Sequence, residues 1–161
     1  MKVIKKADAI VAYENLAAYC PNLAEWPKRW MYEDRDEAPG EQIVAYFTPF
    51  LQHLLGLGLS RKTLRLHRDN LWLLGGELIR DLWDTPKLRK RPMEELIASA
   101  LDEEGGPLLS HHESEEEQRS FDSTCRKFHR YLQQRQGSGS QQIPGPVPRI
   151  CVRKGVRGTV E

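Results

Sequence analysis

Several kinds of signal are missing from this 161-residue sequence. No apolar run approaches the ~18 residues that a membrane-spanning helix needs. The opening stretch MKVIKKADAIVAYENLAAYC starts basic but carries Asp8 and Glu14 and no continuous apolar segment. It does not read as a signal peptide, and the expected location is cytoplasmic. Cysteine is scarce. Cys20, Cys125 and Cys151 are odd in number and far apart, which fits reduced thiols better than a disulfide framework or a zinc site. No stretch alternates apolar and polar residues over strand length, and no internal repeat is present, so the expected class is all-α.

Catalytic constellations are missing as well. His111-His112-Glu113 lacks the i, i+4 spacing by which a helix presents two ligands to one metal. Gly56-Leu57-Gly58 follows a helical pattern rather than a strand, so it is no phosphate-binding fingerprint. Cys125 and His67 fall on apolar stripes and read as core residues. The expectation is a protein that is not an enzyme and needs no cofactor or metal.

What is present is enough apolar material for a core, with 39% hydrophobic and 29% charged residues and a mean hydropathy of −0.62. A chain of this length buries roughly 68–70% of the surface it exposes when unfolded. The net charge of +1 hides a segmented pattern: −2 over 1–48, +5 over 49–92, −9 over 93–118, +4 over 119–135 and +3 over 136–161. Segregation of this kind can give one face a field of one sign.

Hydrophobic periodicity organises the chain into three parts: an N-terminal helical and aromatic extension (1–40), a helical bundle (41–136) and a Gly/Ser/Pro-rich basic tail (137–161). In the extension, Ile10, Tyr13, Ala17 and Cys20 predict a helix over 7–20, ended by Pro21. Leu23, Trp26 and Trp30 form an aromatic patch that should pack on the main body, and residues 32–40 (YEDRDEAPG) read as a charged linker. Ile43, Phe47, Leu51, Leu54 and Leu55 then mark a helix in which Pro49 demands a kink, or a restart with Thr48 as N-cap.

Ser60 caps the most regular helix, 61–83, with Leu64, His67, Leu71, Leu74, Leu78 and Leu82 on its apolar stripe. Gly75-Gly76 weakens its middle by about 1 kcal/mol per glycine, which a close helix crossing would explain. Pro92 opens a helix with Met93, Leu96, Ile97, Ala100 and Leu101 inward. Ser114, with Glu117 completing a capping box, starts the last one, which runs to about Gln136 with Phe121, Cys125, Phe128 and Leu132 inward. From Gly137 the amphipathic period stops, and a mobile linker and tail are expected.

Two of these helices carry cationic rows. Arg61, Arg65 and Arg68 recur at spacings of 4 and 3, flanked by Lys62, offset from the leucine stripe. Arg119, Ser123, Arg126 and Arg130 recur at 4, 3 and 4, flanked by Lys127. Arg119 and Phe121 lie two positions, or about 200°, apart around the helix, so cationic and apolar stripes face opposite ways. Rows of Arg and Lys suit phosphate oxygens, and a helix face fits a major groove. The alternative is that these rows neutralise neighbouring carboxylates and serve only as solvated faces.

The stretch IVAYFTPFLQHLLGLGLSRKTLRLHRDNLWLLGGELIRDL resembles the opening of the SAM-like core-binding domain of phage integrases and other tyrosine recombinases. The resemblance rests on Gly58-Leu59-Ser60, Thr63 and His67, and on SFDSTCRKFHRYL (120–132), which looks like the family's fourth helix. It covers roughly residues 41–135. It implies a four-helix core-binding bundle forming half of a clamp on double-stranded DNA, with the second and fourth helices toward the major groove. The family's catalytic domain has no counterpart in the 26 residues after Arg135, and Tyr131 lies within a bundle helix. No catalytic residue is therefore carried over.

The expected function is a non-catalytic DNA-binding module from a mobile genetic element, either an accessory protein or a truncated integrase. Its partners would be duplex DNA and a recombinase, or another copy of itself on DNA, with no membrane. The competing expectation is a helical protein–protein adaptor that uses the acidic 93–118 surface and Trp26/Trp30 as its interface.

Overall fold

The computed structural model describes residues 12–110 and 114–142, with side chains as far as Arg135. His111-His112-Glu113, Cys151 and the tail from residue 143 lie outside the described residues. The chain divides into two units, Met1–His129 and Arg130–Glu161. Among the described residues there are six α-helices and no strand: α1 (Leu16–Tyr19), α2 (Trp26–Trp30), α3 (Glu37–Leu55), α4 (Arg61–Asp84), α5 (Met93–Ala100) and α6 (Glu115–Gln142). The protein is an all-α helical bundle, as the periodicity predicts. No helix among the described residues is long and apolar enough to cross a membrane.

The start of the chain differs from expectation. Instead of a helix reaching back through residues 12–15, α1 is one turn long and begins after Asn15, whose side chain accepts from the Ala18 N–H. Asparagine competes for backbone donors and so favours this capping role over a helix interior. The aromatic patch packs inward as expected. Trp26 and Trp30 are buried, and the Trp30 indole N–H donates to the Trp72 carbonyl at 2.9 Å. They therefore offer no exposed interface to a partner, which removes the surface the adaptor expectation placed there.

The charged segment after Tyr32 is also more ordered than a linker. Its last residues, Glu37–Gly40, form the first turn of α3, where Pro39 is tolerated because early helical N–H groups have no intrahelical acceptor. α3 then passes through Pro49 without a restart. Thr48 does not cap a new helix; its hydroxyl donates to the Val44 carbonyl at 2.7 Å. At the other end, α6 continues past Gln136 to Gln142. Gly137 and Gly139 disfavour a helix by only about 1 kcal/mol each. Pro144 is the first residue after Gln136 that cannot continue one.

In the first unit Phe47 and Phe50 of α3 meet Phe128 of α6, with ring centroids 5.6 and 4.4 Å apart, and Trp30 lies against Phe47 at 6.5 Å. The α4 leucine stripe is buried as predicted. Cys20 and Cys125 are buried free thiols, and burial raises both; the Cys20 pKa reaches about 12.

Gly75 is where the Trp30 indole crosses α4: a Cβ added there would overlap the six-membered ring. A Cβ at Gly76 would sit 3.6 Å from Trp30 Cδ1, an ordinary contact. Gly75→Ala is therefore expected to lower stability by about 2 kcal/mol, overpacking outweighing the better helix propensity. Gly76→Ala should raise it by up to about 1 kcal/mol. Urea midpoints of the two variants should move in opposite directions.

Candidate nucleic-acid interface

α4 and α6 meet along a polar seam. His67 Nδ1 lies 2.7 Å from Thr124 Oγ1. Asn70 Nδ2 donates to Thr124 Oγ1 at 2.9 Å, to the Ser120 carbonyl at 3.1 Å and to Ser120 Oγ at 3.2 Å. Rising numbers on α4 pair with falling numbers on α6, so the two helices run antiparallel. Thr124 Oγ1 thus joins both α4 side chains, accepting from Asn70 and sharing a proton-bearing contact with the neutral His67 ring. Burial, aided by the positive Lys127 nearby, lowers the His67 pKa to about 4.

The seam fixes which way each cationic row points. Arg61, Arg65 and Arg68 lie roughly 130–170° around α4 from the His67/Asn70 face, so the α4 arginines are turned away from α6. Two of them have other work. Arg61 Nη2 donates to the Ala12 carbonyl at 2.7 Å, and its guanidinium lies 4.4 Å above the Tyr13 ring. Arg68 Nη1 donates to the Tyr19 carbonyl at 2.9 Å, and its Nε pairs with Asp69 at 3.1 Å. The Tyr19 hydroxyl in turn donates to the Leu64 carbonyl. Arg61 and Arg68 are thus anchors for the segment before α2. Guanidinium suits that role because it stacks on rings while donating in plane to backbone carbonyls, that of Ala12 in the chain before α1 and that of Tyr19 left open at the end of α1.

On α6 the row also divides. Arg126 Nη1 donates to the Glu104 carbonyl at 3.1 Å, on the side toward the loop after α5. Arg119 is exposed and pairs loosely with Glu115 at 3.7 Å. Ser123 is half-buried, and Lys127 is half-buried, about 60° around the helix from Thr124. Arg130, which belongs to the second unit, is exposed.

Of the candidate cations, only Arg68 and Arg119 pair with carboxylates among the described residues. Lys62 and Arg65 are exposed with no such partner. The antiparallel register puts Lys62 and Lys127 toward the same end of the seam, since one turn toward the start of α4 is one turn toward the end of α6. What the arrangement offers is a small set of cations around that end, suited to phosphate oxygens, and not one continuous groove built from two complete rows.

Sequence reasoning missed the anchoring of Arg61 and Arg68, whose only signal was the tyrosine pair at 13 and 19. It also missed an exposed aromatic surface formed by Tyr32, Trp72 and Trp83. Its signal was that both tryptophans fall one step off the leucine stripe. Among the described residues no group of His, Cys, Asp and Glu could hold a metal ion. Comparison of the chain with family models, with curated proteins and with solved structures finds no match.

Proposed function

We propose that this chain is a non-catalytic DNA-binding module of the integrase core-binding kind, acting as an accessory protein or a truncated integrase, with a SAM-like arrangement of α3 to α6. The observation that supports the reading is that Lys62, Arg65 and Lys127 have no carboxylate partner among the described residues, with Lys62 and Lys127 toward one end of the α4–α6 seam and Arg65 on the outer side of α4. Binding is to phosphates, positioning rather than base reading, because these faces offer few amide side chains. With three such contacts, log K should fall with log salt at a slope of about −3.

Fluorescence anisotropy on a short duplex tests this. Lys62→Glu combined with Lys127→Glu should flatten the slope by about 2. Arg61→Gln and Arg68→Gln should instead lower the melting temperature and leave binding by the folded protein unchanged. A flat salt response, or equal loss of binding from both pairs, overturns the proposal. The adaptor alternative, no longer resting on Trp26 and Trp30, keeps its support from a different aromatic surface.

A further inference from the structure

The exposed aromatic surface is built along α4. Trp72, Gly76, Arg80 and Trp83 recur at spacings of 4, 4 and 3, on one face offset from the leucine stripe. Trp72 is 37% exposed and Trp83 49%, and Tyr32, 55% exposed, lies against Trp83 with ring centroids 5.6 Å apart. Between Tyr32, Trp72 and Leu73 is a cleft of about 230 Å³ with Gly76 and Leu109 among its lining residues. The platform is held from beneath, since the buried Trp30 indole donates to the Trp72 carbonyl. Large exposed aromatics gathered at one place mark interaction surfaces.

We propose that this surface docks an extended, proline-containing basic peptide of a partner protein. Four observations select that occupant. The first is shape: flat rings beside a gap at Gly76 accept pyrrolidine rings, as aromatic-lined grooves do for proline-rich segments. The second is length. The eleven positions from Trp72 to Trp83 rise about 16 Å along the helix, which an extended proline helix at about 3.1 Å per residue covers with roughly five residues.

The third is hydrogen bonding. The indole N–H groups of Trp72 and Trp83 and the Tyr32 hydroxyl make no hydrogen bond among the described residues. A proline helix has no internal hydrogen bonds and presents bare carbonyls to such donors. The fourth is charge. Glu77 and Glu117 line the cleft, Glu77 accepting from the Ser110 N–H and hydroxyl, and the one cation among its described lining residues, Arg80, pairs with Asp84 at 3.7 Å. Burial and the negative Glu77 and Asp84 raise the nearby Asp81 carboxyl. This field attracts Arg or Lys in a peptide and repels a phosphate backbone, so the surface is distinct from the nucleic-acid interface.

The test follows the four indole N–H resonances of the full chain by NMR during titration with the synthetic peptide Arg-Pro-Leu-Pro-Pro-Leu-Pro-Arg. The expected result is saturable movement of Trp72 and Trp83, with Trp26 and Trp30 unmoved as markers of an intact core. A peptide with every proline replaced by alanine, or with both arginines replaced by glutamate, should bind at least about tenfold more weakly. Trp72→Ala should abolish binding. Gly76→Leu, which fills the gap without removing a core side chain, should weaken it about tenfold or more. Lys127→Glu should leave it unchanged, which separates this surface from the DNA reading. The proposal is overturned by still exposed indoles, by an equal response to the proline-free peptide, by movement only with oligothymidylate, or by movement with protein concentration alone.

Discussion

Arg89→Met is expected to destabilise the fold by about 3–5 kcal/mol near neutral pH, because it strands a buried carboxylate. Asp36 is fully buried. Its Oδ2 accepts from the backbone N–H groups of Tyr32 and Glu33 at 2.9 and 3.1 Å, and its Oδ1 accepts from Arg89 Nη2 at 2.5 Å. Arg89 sits in the 3-10 turn Pro86–Lys90 just after α4, so the pair ties the exit of α4 to the entry of α3. The methionine keeps the packing of the aliphatic stem and removes the charge. It also removes the buried Arg89 Nε, which has no hydrogen-bond partner, and that small relief argues for the lower end of the range.

The sign of the pH dependence identifies the cause. Burial works to raise the Asp36 carboxyl, but the Arg89 guanidinium and the two backbone donors outweigh it and hold the carboxyl below its ordinary value. Its contribution is therefore fully present above the unfolded value of about 3.9 and is lost as pH falls through the folded one. In the variant, burial is opposed only by the backbone donors, and the carboxyl takes up a proton at higher pH. The deficit relative to wild type should shrink as pH falls toward about 4. Urea unfolding at both ends of that interval measures it. A deficit that stays constant with pH would mean lost packing, not a stranded charge.

The second large effect is acid sensitivity at the α4–α6 seam. His67 has its folded pKa lowered to about 4 by burial and by Lys127, whereas the unfolded chain titrates near 6.5. Between those values the unfolded state binds the extra proton. The stability contributed by the neutral imidazole is complete above about 6.5 and declines by about 3 kcal/mol as pH falls to about 4. His67→Gln keeps a hydrogen-bonding partner for Thr124 and does not titrate. Its stability should fall less steeply over the same interval. Lys127→Gln should also reduce the slope, by letting the imidazole charge more easily. Parallel curves for wild type and His67→Gln would assign the acid loss to other groups.

Local periodicity made the bundle legible. The leucine stripe of α4, its Ser60 cap and the Ser114 start of α6 each follow from contacts within a turn or two of helix, where sequence spacing and spatial neighbourhood coincide. What stayed hidden depends on distant partners. A row of arginines looks alike whether it faces water or, as for Arg61 and Arg68, a carbonyl 49 positions earlier. The charged run after Tyr32 reads as a linker until Arg89 arrives, 53 residues later, to neutralise Asp36. Gly40 reads as the end of that linker, yet it is buried in α3 where a Cβ would press within 2.9 Å of Pro27. The aromatic surface was hidden for the opposite reason. Tryptophan is an expected core residue, and only the angle around α4, one step off the leucine stripe, leaves Trp72 and Trp83 exposed.

The two buried thiols give the fold an internal clock. Cys20 lies where the N-terminal segment meets α4, and Cys125 lies in the interior beneath Gly106. Neither thiolate forms readily while the protein is closed, so an alkylating reagent reacts only during openings. With Cys151 replaced by serine, labelling at Cys20 times the detachment of the leading segment and labelling at Cys125 times the opening of the whole bundle. The ratio of the two rates says whether the N-terminal strap lets go by itself or only when everything does.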